Sequence, residues 1–209
     1  MNTAQDFWNA RFAEEDLAYG EEPNAFVQEQ AWRLPAGARV LLPGDGQGRN
    51  GVWLARQGFD ATCVDWSETG LERARALAAR HAVSIEPILA DLGDWLWPES
   101  EYDAVVAVHL HLMPEIRRQA HRGMLRALKP GGLILLEAFD LEQAGLGSGG
   151  PRNPLMLYSA EMLAEDFAEA EILMLERAQV MLDEGLYHQG MAEVVRMVAA
   201  RPDGGSRVA

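Results

Sequence analysis

Residues 39–65, RVLLPGDGQGRNGVWLARQGFDATCVD, decide the fold. Arg39–Pro43 reads as a buried strand, broken by Gly44-Asp45-Gly46-Gln47-Gly48. Arg49 to Gln57 reads as a helix ended by Gly58, and Asp60–Asp65 as a second strand. Strand, glycine loop, helix and strand make one βαβ unit, and the pattern continues outward. Ser67 is placed to cap a helix reaching about Ala82. Ser84–Ala90, Tyr102–Val108 and Leu133–Phe139 read as further strands. A helix over Pro114–Leu128 and a turn at Lys129-Pro130-Gly131-Gly132 separate the last two. Strands that are apolar almost throughout imply a parallel sheet covered on both faces. Residues 140–157 are rich in glycine and proline and read as a loop, followed by a helix over Ser159–Ala168. Ala170–Val180 and Met191–Arg201 flank Asp183-Glu184-Gly185, the signature of an antiparallel hairpin. Before the core, a helix over Thr3–Ala13, a loop at Tyr19–Asn24 and a short helix over Phe26–Trp32 are expected.

In an open parallel sheet, ligands bind at the carboxyl ends of the strands. Gly44, Gly46 and Gly48 stand at such an end, where absent side chains let a ligand approach the backbone. Asp65 ends the second strand and suits the hydroxyls of a ribose; Asp91 ends the third. The dinucleotide fingerprint needs glycine at its first, third and sixth positions, and here the sixth is Arg49. The spacing G-x-G-x-G fits S-adenosylmethionine better than NAD.

Composition narrows the partners. The 209 residues carry a formal net charge of −14, which argues against nucleic acid as the main ligand. Cys63 is the single cysteine, so an internal disulfide is impossible. No apolar run approaches the ~20 residues of a membrane span. The opening MNTAQDFWNARFAEED lacks the basic-then-apolar pattern of a secretory leader, so a cytoplasmic location is expected.

The run VLLPGDGQGRNGVWLARQGFDATCVDWSETGLERARALA resembles the cofactor half of class I S-adenosylmethionine-dependent methyltransferases. More narrowly, the chain resembles the small bacterial group near the tellurite-resistance and thiopurine/thiol S-methyltransferases. The residues carrying that likeness are Tyr19-Gly20, Pro23-Asn24, Gly48-Arg49-Asn50, Trp53-Leu54-Ala55, Ala90-Asp91-Leu92 and Leu128-Lys129-Pro130-Gly131-Gly132. The resemblance implies an α/β Rossmann-like fold: seven strands in the order 3-2-1-4-5-7-6, mostly parallel with the last antiparallel, and helices on both faces. It implies one methyltransferase domain over 1–209: a helical N-terminal lid (1–33), a cofactor core (34–139), a C-terminal helix and hairpin (140–201) and a loose tail (202–209). It places Gly44, Asp45 and Gly46 on the methionine part of the cofactor, with Gly48, Arg49 and Asn50 beside them. Asp65 takes the ribose, Trp66 flanks the adenine, Asp91 and Leu92 bind its edge, and Val108 and His109 line the methyl-donor cleft. The acceptor it implies is a small molecule: a thiol, or an inorganic sulfur, selenium or tellurium species. One departure stands out: Leu42 occupies a position that is usually acidic, and the nearby acid is Asp45.

Candidates for chemistry are Tyr19, His109, His111 and Glu137. His109 and His111 read either as substrate contacts and proton acceptors or as hydrogen-bonding groups that shape the loop before Pro114. Glu137 lies in an apolar strand, where a carboxylate needs either a cleft or a partner. No third ligand is obvious for a His-x-His zinc site, so no metal is expected. Tyr187 and His188 read as hairpin surface, His81 and His121 as exposed, and Arg117, Arg118, Arg122 and Arg126 as a solvated helix face. The tryptophans other than Trp8 and Trp66 read as core. A non-catalytic S-adenosylmethionine-binding protein and a nucleotide-dependent oxidoreductase are the alternatives. Calorimetry separates the cofactors: S-adenosylhomocysteine is expected to bind and NAD is not, and tight NAD binding alone would reverse the reading.

Overall fold

A computed structural model describes residues 3–14 and 17–203. The elements in chain order are α1 (Thr3–Phe12), α2 (Ala25–Gln30), β1 (Arg39–Pro43), α3 (Arg49–Arg56), β2 (Asp60–Asp65), α4 (Glu68–Arg80), β3 (Glu86–Leu89), β4 (Tyr102–Val108), α5 (Pro114–Ala127), β5 (Leu128–Phe139), α6 (Ala160–Asp166), β6 (Glu171–Glu184) and β7 (His188–Ala200). The strands form one sheet in the order β3-β2-β1-β4-β5-β7-β6, as the resemblance implied. β1 to β5 pair in parallel, and β7 runs antiparallel to both β5 and β6.

Alternating side chains send the apolar residues of each strand to both faces. Phe26, Val27 and Leu54, from α2 and α3, pack with Leu42, Val106 and Leu135 on one face. Met124, Leu163 and Phe167, from α5 and α6, pack with Leu41, Val105 and Met197 on the other. Among the described residues no helix is long and apolar enough to cross a membrane. The final tail from 204 onward lies outside the described residues.

Several local expectations are corrected. β5 begins at Leu128 rather than Leu133, with a register shift opposite Tyr102 and Ala104. The hairpin is longer than expected: β6 runs through Glu184, and the turn is 185–187. The face of α5 is not solvated throughout, because Arg117 and His121 are buried and both bond Asp166 Oδ2 at 2.8 Å. Burial alone would raise the Asp166 carboxyl, but His121 and Arg117 outweigh it and hold it below its usual value. Trp32 is 74% exposed rather than core.

Gly123 in α5 is buried against the indole of Trp97, and a Cβ there would run into the ring. Alanine would gain about 1 kcal/mol of helix propensity, but overpacking against a rigid buried ring costs about 1–3 kcal/mol. We expect Gly123→Ala to lower the Tm, by up to about 8 °C, in a thermal melt; a higher Tm would show that Trp97 moves freely.

Candidate functional site

The loop after β1 turns through three glycines with positive φ, Gly44 (73°), Gly46 (55°) and Gly48 (84°). At Gly48 a side chain would strike Ala74 of α4, and at Gly46 the ring of Phe12. Asp65, buried at the end of β2, holds the loop: its Oδ2 accepts from the Gly46 N–H at 2.9 Å, and its Oδ1 from the Ser67 N–H at 2.8 Å. Burial pushes its carboxyl up to about 6 despite those bonds. Two oxygens carry about four lone-pair sites, so the carboxylate keeps room for a hydroxyl donor beside its backbone bonds. Asp45 turns inward, where its Oδ2 accepts from the Gly51 N–H at 3.1 Å. Burial pushes its carboxyl up to about 7, against a hydrogen bond from Cys63.

Helix α1 is fastened beside this loop. Gln5 donates to the Trp66 carbonyl at 2.7 Å, and the Ser67 hydroxyl donates to Asn9 Oδ1 at 2.7 Å. Trp8 stacks on Phe12 at 5.3 Å, and both rings approach Tyr19. Leu92 is buried in the core cluster with Trp97 and Met124, and Asp91 is exposed with its Oδ1 bonded to the Gly93 N–H. Val108 is partly buried and packs with the core cluster of β1 and β4.

A second cluster gathers beside the first, at the carboxyl ends of β4 and β5. Glu137, in β5, is 1% exposed. It accepts from Asn24 Nδ2 at 2.6 Å and from Arg196 Nε at 2.7 Å. Glu184 receives Arg49 at 2.9 Å and faces His188 Nδ1 at 3.0 Å. Burial would raise Glu184, but His188 and Arg49 outweigh it and hold the carboxyl well below the usual range. Between the two carboxylates sits His109, with Nε2 at 3.5 Å from Glu137 and 3.7 Å from Glu184. Its side chain is 7% exposed, its φ is 50°, and neither ring nitrogen has a hydrogen-bond partner. Burial, reinforced by His188 and Arg49, lowers its pKa well below 6.5.

The structure thus separates residues that the sequence grouped. His111 does not share the environment of His109. Its Nδ1 bonds the Met156 carbonyl at 2.7 Å, and its Nε2 accepts from the Phe139 N–H at 3.4 Å, so both nitrogens are spent on the loop. Arg49 and Asn50 do not lie free beside the glycine loop. Arg49 pairs with Glu184 and donates to the Tyr19 carbonyl, while Asn50 Oδ1 accepts from the Asn24 N–H. His188, expected on a hairpin surface, is buried against Tyr19 at 4.5 Å between ring centres. Glu184, His188, Asn24 and Arg196 are the members that sequence reasoning missed. Glu184 and His188, four apart across a hairpin turn, were the available signal, but which end of the sheet they reach is set by topology.

His109, Glu184 and His188 place three ligand atoms within 4.8 Å of one another, a spacing a metal could use. The guanidinium of Arg49 on the same Glu184 oxygen opposes a divalent cation there.

Comparison with known proteins agrees with this geometry. Residues 40–132 match a methyltransferase domain. Thiopurine S-methyltransferase of Legionella pneumophila (strain Paris) is 24% identical, covering 93% of this chain and 96% of the relative. Two solved structures share the fold. One, from work on conversion of a disulfide bond into a thioacetal group during echinomycin biosynthesis, has a TM-score of 0.77 at 19% identity, covering 98% and 95% of the two chains. The other is TehB from Haemophilus influenzae, with a TM-score of 0.71 at 19% identity, covering 94% of this chain and 66% of TehB.

The residues present fit S-adenosylmethionine: a buried carboxylate at the end of β2, a glycine loop, and the ring of Phe12 against that loop. Since Asp65 must be ionised to accept two hydroxyls well, affinity for S-adenosylhomocysteine should fall as pH drops below about 6. Asp65→Asn should weaken binding by about 1.5–3 kcal/mol and flatten the pH profile. Calorimetry between pH 5 and 8 checks both; a wild-type profile as flat as the variant's would remove Asp65 from the site.

Proposed function

We propose that the protein is a class I S-adenosylmethionine-dependent methyltransferase whose acceptor is a small thiol or an inorganic sulfur, selenium or tellurium species. The observation that carries this reading is His109, a buried imidazole with two free nitrogens at the end of β4. The likeness to thiopurine S-methyltransferases over nearly the whole chain supports a sulfur acceptor.

When bound, S-adenosylmethionine supplies an electrophilic methyl group on a sulfonium. Asp65, the glycine loop, Trp66, Leu92 and Val108 hold the cofactor in this proposal. Methyl transfer is an in-line displacement, so the chain must align the acceptor and exclude water. His109 accepts the acceptor's S–H proton at Nε2. Burial lowers its pKa and so keeps the imidazole neutral at rest; it takes the proton only as the S–C bond forms. Glu137 and Glu184, at 3.5 and 3.7 Å, then stabilise the imidazolium. The new S–C bond forms as the sulfonium's S–C bond breaks, and the proton stays on His109 until solvent removes it. Glu137, Glu184 and His188 are positioning residues in this scheme, and His111 shapes the loop.

In this proposal the N-terminal segment is the lid of the site. What supports it is that Ala18 donates to Gln47 at 2.8 Å and Asn24 to Asn50 at 2.9 Å, which fastens the stretch between them to the glycine loop and α3. Tyr19 packs against His188 with the rings tilted by 51° and receives Arg11 at 3.3 Å, forming a wall rather than a base.

Proton transfer by a positioned base contributes about 10²–10⁴-fold. We expect His109→Ala to lower kcat/KM by roughly 10²-fold for alkyl thiols and much less for aromatic thiols that are already ionised. Initial rates across thiols of graded acidity, with labelled cofactor, measure this. An equal loss for all thiols would make His109 a packing residue.

A further inference from the structure

Beside His109 lies a cavity of about 300 Å³ between the 19–25 loop and β6. Its walls carry five carboxylates, Glu21, Glu22, Glu137, Asp183 and Glu184, against one guanidinium, that of Arg196. The inner carboxylates are matched: Glu137 by Arg196 and Glu184 by Arg49. Glu21 is drawn to Arg80 and His81 on α4. Glu22 and Asp183, both exposed, have no basic partner among the described residues; Asp183 accepts only from Gln189 at 3.0 Å. The mouth is therefore negative and the floor neutral. The two matched carboxylates that line the floor also lie 3.5 and 3.7 Å from Nε2 of His109, which is buried behind them. Apolar wall comes from Val180, Leu182, Pro23 and the aliphatic Met181, which is 68% exposed.

From this arrangement we infer that the cavity receives the non-reacting part of the acceptor and selects it by charge: small neutral or cationic thiols, amine-bearing ones above all, enter, and anionic acceptors, oxyanions included, are turned away. The inference rests on the proposed methyl transfer to sulfur and narrows it. Two independent features act in one direction. A ligand cation between Glu22 and Asp183 finds unspent charge, whereas an anion there meets both carboxylates with no guanidinium at the mouth. The chain's net charge of −14 repels anions at longer range as well. Arg196 does not offset this, because its Nε is bonded to Glu137 at 2.7 Å and its NH1 lies 3.5 Å from Glu29.

Three aromatic thiols of matched shape test the idea: 4-mercaptobenzylamine, 4-mercaptobenzyl alcohol and 4-mercaptobenzoate. At low salt kcat/KM should fall in that order, by about tenfold or more from amine to benzoate. High salt should compress the series, since exposed charges are screened. The double variant Glu22→Lys/Asp183→Lys should invert the order while melting and binding S-adenosylhomocysteine as the parent does. Calorimetric titration of the same thiols into the enzyme saturated with S-adenosylhomocysteine reads the order without turnover. Charge-ordered binding with no methylation would sink the thiol reaction but keep the cavity's selectivity. Benzoate or tellurite accepted as well as the amine, or binding indifferent to charge, would overturn the inference.

Discussion

The site depends on one buried ionic knot. Glu137 and Glu184 meet Arg196 and Arg49, with Asn24 bridging the two carboxylates at 2.6 and 3.2 Å. Its members come from the N-terminal loop, α3, β5, β6 and β7, so the knot ties together segments that are far apart in sequence. Two carboxylates are balanced by two guanidiniums, and the imidazoles of His109 and His188 remain neutral. Such a knot adds little net stability, because each ion loses hydration on burial. Removing one partner strands a buried charge and costs about 3–5 kcal/mol. The knot therefore acts mainly through specificity: the N-terminal loop packs in one register or leaves ions unpaired.

Why the knot forms at this end follows from strand length. β5 pairs with β7 only as far as Phe139 opposite Val194, yet the hairpin continues to Glu184 opposite His188. Six further residues at ~3.3 Å each carry the tip roughly 20 Å past the end of β5. Because β7 alone is reversed, β6 runs in the common direction, and its tip overhangs the carboxyl ends of β1 and β4. The N-terminal loop and the tip then touch backbone to backbone, where Gly20 faces Gly185 and a side chain on Gly185 would run into the Gly20 backbone.

The parts legible in the sequence were those whose signal is local. Strand β1, the glycine loop and Asp65 lie within 27 residues, and each obeys a spacing rule that the structure follows. Asn24 has a local role as the cap of α2, accepting from the Phe26 and Val27 N–H groups. Its second role, donating to Glu137 from 113 residues away, leaves no local trace. His121 and Arg117 were misread for the same reason: only α6, folded back on α5, supplies the Asp166 that lets them be buried. Polar residues on amphipathic helices read as solvated until a distant partner is known.

His109 shows how the two kinds of information combine. Its place after β4 is local, and the sequence put it at the cleft. Its φ of 50° is a strained value for a β-branch-free but bulky residue, and such strain persists only where the surroundings enforce it. The enforcing contacts are its N–H bond to the Glu137 carbonyl at 2.7 Å and its ring stacked on Phe139 at 4.4 Å. His111, two residues on, lies against the same phenyl ring but spends both nitrogens on the backbone. The knot supplies the rest, two carboxylates near enough to stabilise a proton on His109 yet each held by its own guanidinium. An imidazole so placed stays neutral at rest and gains charge only when an acceptor brings a proton to it.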